Sequence, residues 1–363
     1  MLNDTSTMKI TLTKQSHIND VDWDNIPFGR VFSDHMLVMD YADGEWKQPE
    51  ILPFGNLSLN PATSAIHYGQ SVFEGMKANK SENGDVFMFR PEQNAKRFND
   101  SCERMCMPTI PEDQFVELIR RLVDIERDWI STKADYSLYI RPFIFATDDF
   151  IGVKPSETYK FVIFTCPVGA YYTEPVSVKI EEYYTRAASG GVGIAKTAGN
   201  YAAALYPAKQ GQLQGFHQLV WTDAKEHKYI EESGTMNILF VINGVLVTPS
   251  EDSDTILKGT TKRAVLEVAK SWGMPIEERK VSVEEVVAGI KNGSITEAFG
   301  AGTAATIAHI VRLGFRDEVL DLSPVSERTF SNKVKNYLKW YNLRNKIKGS
   351  FVTCFIIFNL IIN

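Results

Sequence analysis

Between residues 218 and 247, four short β-forming runs follow one another with only turn-length spacers. They span 218–221, 227–231, 237–241 and 245–247, and Asn243 and Gly244 split the last two with a strong hairpin signal. Parallel strands need long crossovers, so this spacing predicts antiparallel pairing through this stretch. The first half reads differently. Runs 31–39 and 86–89 are strand candidates beside Asp43-Gly44 and Asn83-Gly84-Asp85 turns. Across 114–129, Phe115, Leu118, Ile119, Leu122, Val123 and Ile125 recur at helical spacing, and 136–145 and 159–166 are again rich in β-formers. Helices are expected at 201–210, 261–272 and 283–291. The pattern is α+β in two parts, and 363 residues at roughly 150 per domain agrees with it. The expected division is a small N-terminal domain at 1–170, a linker at 171–185, a larger domain at 186–345 and an apolar tail at 346–363.

Charge excludes some partners. Lysine and arginine number 39 against 45 acids, a formal net charge of −6, and no basic block stands out, so neither nucleic acid nor a polybasic membrane contact is expected. Four cysteines (Cys102, Cys106, Cys166, Cys354) are too few and too scattered for a disulfide framework. The opening residues 1–15 lack the apolar core of a signal peptide and the arginine-rich look of a transit peptide, so a cytoplasmic enzyme is the expectation. The apolar run 351–363 is shorter than the roughly 20 residues of a membrane span. It reads as a packed terminal strand or an unselected tail.

Four segments carry possible chemistry. In 189–201 (SGGVGIAKTAGNY), Lys196 lies among small and apolar residues, which would favour its neutral, nucleophilic form; a loop lysine facing solvent is the ordinary alternative. Gly190 to Thr197 also fits G-x-x-x-x-A-K-T, one residue from a phosphate-binding loop, and the run ending in Asp223 could supply a magnesium ligand. The mismatch falls on a required glycine, and the hairpins downstream argue against the parallel sheet such NTPases need. Glu231 and Glu232 precede a Ser-Gly turn and a strand. The threonine pair Thr260 and Thr261 opens a helix, a geometry that suits an anion as well as a plain N-cap. A further glycine–threonine turn spans 299–305.

Taken in order, nine blocks make the sequence resemble the branched-chain amino-acid aminotransferases, pyridoxal-phosphate enzymes of fold type IV. They are PFGRVFSDHML (27–37), HYGQSVFEGMKA (67–78), FRPEQNAKRF (89–98), LYIRPFIF (138–145), PVGAYY (167–172), GGVGIAKTAGNYAAAL (190–205), EESGTMNI (231–238), ILKGTTKR (256–263) and FGAGTAA (299–305). The resemblance implies a two-domain α+β fold, with a smaller α/β N-terminal domain and a larger C-terminal domain built on a pseudo-barrel sheet. It implies pyridoxal 5'-phosphate as cofactor, no metal, and reversible exchange of amino groups between leucine, isoleucine or valine and 2-oxoglutarate.

The same resemblance implies roles. Lys196 would bind the cofactor aldehyde covalently and then move protons as acid and base. Glu232 would pair with the pyridine nitrogen, Tyr201 with the ring oxygen, and Arg97, Thr260, Thr261 and Thr303 with the phosphate, while Thr235 and Asn237 complete the cofactor site. Phe28, Tyr68, Phe73 and Tyr171 would form an apolar side-chain pocket, with Tyr139, Arg141, Thr303 and Ala304 near the substrate acids. Val153, beside Gly152, would reach a neighbouring subunit's site, which implies at least a homodimer. Two departures stand out. Mammalian members carry Cys-x-x-Cys after the glycine–threonine turn, where this chain has Ala305 and Ala308, so no thiol switch is expected. Beyond about residue 344 the family's Gly-Trp-containing end gives way to KIKGSFVTCFIIFNLIIN, which looks like a frameshifted or truncated end.

Overall fold

The computed structural model describes residues 8–169, 171–172 and 174–344, so the apolar tail and Cys354 lie outside the described residues. Two sheets organise the chain. The first holds β1 (Lys9–Ile10), β2 (His35–Ala42), β3 (Glu45–Trp46), β4 (Glu50–Pro53), β5 (Ser71–Phe73), β6 (Met76–Lys80), β7 (Val86–Met88), β8 (Ser137–Ala146) and β9 (Tyr159–Val168). Its main path runs β1-β4-β2-β9-β8-β6-β7, antiparallel except for the short β1–β4 pair. Helices α1 (Ser64–Tyr68), α2 (Pro91–Arg104) and α3 (Glu112–Ile125) accompany it. The apolar stripe seen in the sequence places Phe115, Leu118, Ile119, Leu122 and Val123 of α3 in the core with Phe98 of α2 and Phe161 of β9. The helix stops four residues before the expected 129, where Arg127–Trp129 tightens into a 3-10 turn.

The second sheet contains β10 (Val176–Ile180), β11 (Gln218–Thr222), β12 (Tyr229–Ser233), β13 (Met236–Ile242), β14 (Val245–Thr248), β15 (Ile276–Glu278), β16 (Val281–Ser282), β17 (Ile295–Gly302), β18 (Thr306–Phe315) and β19 (Glu318–Asp321). Strands β13-β17-β18-β10-β11-β12 follow one another by pairing, and β12 pairs back onto β13, so this part closes into a barrel. Around it lie α4 (Ala198–Leu213), α5 (Thr260–Ser271), α6 (Val283–Lys291) and α7 (Phe330–Arg344).

Two expectations change here. The four runs at 218–247 do pair antiparallel, but β10 and β11 run parallel to one another, as do β10 and β18. The connection from β10 to β11 contains α4 and is long enough for a crossover. The expected linker at 171–185 is also shorter than read. Val176, Val178 and Ile180 are buried at alternate positions, and β10 belongs to the barrel.

Candidate active site

A cavity of about 580 Å³ lies where the two sheets meet, and both contribute its walls. From the first come Phe73 on β5, Tyr139, Arg141 and Phe143 on β8, and Arg97 from α2; from the second come Glu232 on β12, Asn237 on β13, and Thr260 and Thr261 on α5. Phe28, Tyr171, Lys196, Tyr201, Thr235, Thr303 and Ala304 also line the same space.

Lys196 owes its place to a seam between the halves of the chain. Its N–H donates to the Ser101 hydroxyl at 3.0 Å, its carbonyl accepts from Phe73 N–H at 3.0 Å, and the Thr197 hydroxyl donates to Ser71 carbonyl at 2.7 Å. Asn200, in the first turn of α4, donates to the carbonyls of Val192 and Ala195 at 2.8 and 2.9 Å and folds the glycine-rich loop back on itself. The Lys196 side chain then reaches the cavity with Nζ 2.8 Å from the Tyr201 hydroxyl and 4.8 Å from the centre of the Phe73 ring.

One end of the cavity gathers donors for an anion. Gly259 caps α5 without a side chain, leaving the first-turn N–H groups beside the hydroxyls of Thr260 and Thr261. A Cβ on Gly259 would stand 1.8 Å from Asn237 Oδ1, so the approach of this turn to β13 needs glycine. Arg97 faces the same end. Its Nε and Nη2 donate to Glu74 at 2.6 and 2.8 Å and its Nη1 to the Lys258 carbonyl at 2.9 Å, which fixes the guanidinium plane. Glu74 is fully buried; burial pushes its carboxyl up, but Arg97, Lys196 and Asn94 together outweigh that and hold it below its ordinary range.

The floor is acidic and the opposite end aromatic. Glu232 accepts from Leu257 N–H and from Arg186 Nη2, the latter at 3.3 Å. Burial pushes the Glu232 carboxyl up, and Arg186 is the strongest influence opposing it. At the far end Phe28 packs edge-on to Tyr139 and Tyr171 at 5.2 and 4.8 Å. Arg141 lies 4.7 Å from the Phe73 ring centre and donates to the Tyr139 hydroxyl at 3.1 Å, and its buried Nε has no partner among the described residues. A Cβ on Gly75 would meet the Tyr139 hydroxyl at 2.0 Å, so that ring also depends on a glycine.

Two expected residues stand elsewhere. Tyr68 and Val153 line a second, shallower cavity of about 230 Å³ with Gln70, Arg104 and Cys106. Tyr68 ends α1, is 44% exposed and donates its hydroxyl to the Ile151 carbonyl, which turns it away from the main cavity of its own chain. Val153 is 87% exposed. Glu74 and Arg186 are partners the sequence reading missed. Glu74 lies within the segment 67–78, but nothing local says that its partner is Arg97, 23 positions on. The phosphate-loop alternative loses ground. Asp223 spends its carboxylate on N–H groups of Glu226, Lys228 and Tyr229, closing a turn. The anion donors belong to α5 rather than to residues 190–197.

The family model described as Amino-transferase class IV matches residues 71–313. A branched-chain-amino-acid transaminase of Bacillus subtilis is 44% identical over 335 residues, covering 91% of this chain and 94% of that protein. Among solved structures, the branched-chain amino acid aminotransferase of Escherichia coli superposes with a TM-score of 0.70 at 26% identity, over 87% of this chain and 97% of that one. An aminotransferase from Brucella abortus, solved with the cofactor PLP bound, shares the fold with a TM-score of 0.64 at 21% identity, over 84% and 99% of the respective chains.

Proposed function

The chain belongs to the class IV aminotransferases, and from that premise we propose that it uses pyridoxal 5'-phosphate to exchange amino groups between L-leucine, L-isoleucine or L-valine and 2-oxoglutarate, giving branched 2-oxo acids and L-glutamate. The observation that carries this reading is the Lys196 amine, bonded to Tyr201 at 2.8 Å and set between an anion-binding end and a buried carboxylate.

The residues present fit the cofactor by their chemistry. A phosphate suits Arg97, Thr260, Thr261, Thr303 and the free amides of α5; a protonated ring nitrogen suits Glu232; a ring oxygen suits Tyr201. Thr235 and Asn237 fill out the same walls. When bound, the cofactor supplies a carbonyl carbon to carry the amino group and an electron sink next to the substrate Cα. Lys196 would hold it and would move the proton at the substrate Cα. An anionic Glu232 would hold a proton on the ring nitrogen, and Arg186 is the strongest influence favouring that charge against burial. Arg141, with its unpartnered Nε, and Tyr139 receive substrate acid groups, which lets glutamate share a site whose Phe28, Phe73 and Tyr171 face accepts apolar side chains. One methylene in such a pocket is worth ~1–3 kcal/mol, so leucine, isoleucine and valine are separated only weakly. Self-association as at least a homodimer belongs to the reading, because the exposed Val153 would then reach the partner's cavity.

The test is an absorption spectrum of the protein supplied with pyridoxal 5'-phosphate. A visible band that L-leucine bleaches and 2-oxoglutarate restores is expected, and Lys196→Ala abolishes turnover while part of the cofactor affinity persists through the phosphate. A band answering only to D-alanine transfers the chain to D-specific chemistry, and full activity in Lys196→Ala overturns the mechanism.

A further inference from the structure

One lysine ties the first sheet to the turn that edges the cavity. Lys77 lies on β6 directly across from Tyr139 of β8, so both side chains leave the sheet on the same face. Its Nζ donates to the carbonyl of Ala304 at 2.7 Å, across 227 positions of sequence. Thr303 and Ala304 sit in the turn between β17 and β18, and both line the main cavity. Lys77 also borders a pocket of about 40 Å³ with Asn94, Thr260, Thr261, Thr303 and Thr306, directly behind that wall.

The turn needs holding. Thr306, which closes it against Gly302, has φ of 60°, a left-handed conformation that costs a β-branched residue energy and survives only where the surroundings enforce it. Among the described residues, the bond from Lys77 is the one side-chain hydrogen bond made to residues 303–305. Burial pushes the Lys77 ammonium down to about 8, so the group remains mostly charged at neutral pH and its bond to the carbonyl is charge-assisted.

We propose that Lys77 is a positioning residue that fixes the turn of Thr303 and Ala304 across the junction of the sheets, and thereby sets the affinity for the carboxylate of the substrate. The proposal rests on the aminotransferase reading. Lys77 touches no reacting atom, so its removal acts on binding before it acts on turnover.

The experiment compares wild type with Lys77→Met, Lys77→Gln and Lys77→Arg, each loaded with pyridoxal 5'-phosphate. Calorimetry reads the binding of a non-reactive branched carboxylic acid, and steady-state kinetics read KM and kcat for L-leucine. Losing a charged hydrogen bond that orders the site weakens carboxylate binding and raises KM about tenfold in the Met and Gln variants. Their kcat stays within about threefold of wild type, on the principle that uniform binding is what is lost. Arg restores affinity, because it too presents a cation to the carbonyl, and cofactor affinity of the apoprotein falls less than carboxylate affinity, since Arg97 and α5 still receive the phosphate and only Thr303 moves with the turn. Wild-type carboxylate affinity in both the Met and Gln variants overturns the proposal, as does a loss confined to kcat. The Gln variant keeps the comparison alive if Met misfolds. If wild type binds no branched carboxylate and L-leucine leaves its spectrum unchanged, the aminotransferase reading fails and the proposal falls with it; a normal wild type with indifferent variants sinks the Lys77 proposal alone.

Discussion

At the residue scale, the chemistry turns on whether Glu232 keeps its charge. A carboxyl this deeply buried drifts toward the neutral acid, and a neutral acid would not hold a proton on a ring nitrogen. Arg186 is the counterweight: its side chain is buried, and Nη2 reaches Glu232 as well as the carbonyls of Gly193 and Thr255. Arg186→Met leaves the buried carboxylate without its cation. Cofactor affinity at neutral pH should then fall by at least about tenfold, since stranding one member of a buried pair costs several kcal/mol. Arg186→Lys should fall in between. Fluorescence titration of the apoproteins with pyridoxal 5'-phosphate measures it, and equal affinities in wild type and Met variant would remove Arg186 from the site. Lys196, Glu232, Tyr201 and Arg97 could be named from the sequence because each lies in a compact block that carries the family resemblance, and all four line the cavity. Arg186 and Glu74 were not, because each matters through a partner 46 or 23 positions away, and pairing across a fold leaves no local pattern.

The elements divide in the same way. Periodicity located α3, and its stripe is the buried one, while the turn signals located the antiparallel hairpins of the barrel. The parallel pairing of β10 with β11 and β18 was hidden, because it depends on which distant strand lies alongside rather than on any spacer. The start of α7 was hidden for a related reason: its cap comes from another strand. Glu297 on β17 accepts the N–H groups of Thr329 and Phe330 at 3.0 and 2.9 Å through one oxygen, and that of Ser331 at 2.7 Å through the other. Burial pushes this carboxyl up, yet the hydrogen bonds from residues 329–331 outweigh it and hold it below its ordinary value of 4.5. A depressed carboxylate contributes stability that is present above the unfolded value and lost as pH falls through the folded one. Glu297→Gln should therefore cost about 1.5–3 kcal/mol at pH 7, the worth of hydrogen bonds to a charged group. That deficit should shrink below pH 4.5, where the unfolded carboxyl takes up its proton. Urea unfolding at both ends of this range checks the sign, and a deficit that grows on acidification would contradict the assignment.

For the whole molecule, the telling fact is that no single sheet owns the cavity. Phe73, Arg97, Tyr139 and Arg141 come from the first half, Glu232, Asn237, Thr260 and Thr303 from the second, and Lys196 is stitched to β5 although it precedes α4. A ligand that bridges these groups binds only when both sheets are folded and docked, so its free energy adds to the stability of the pair. At a hundredfold excess over the dissociation constant that linkage amounts to about 2.7 kcal/mol. Pyridoxal 5'-phosphate should raise the unfolding midpoint of wild type accordingly. Two controls separate the contributions. Lys196→Ala retains the phosphate end and should gain less at the same concentration, whereas inorganic phosphate alone should stabilise wild type and Lys196→Ala equally, since it engages only Arg97, α5 and Thr303. Probes in each half, such as Trp129 near the first sheet and Trp221 on β11, should report the same midpoint once the cofactor is bound. If cofactor shifted the Trp221 transition and left that of Trp129 where it was, the site would be stabilising the barrel by itself, and the junction between the sheets would not be where binding is read.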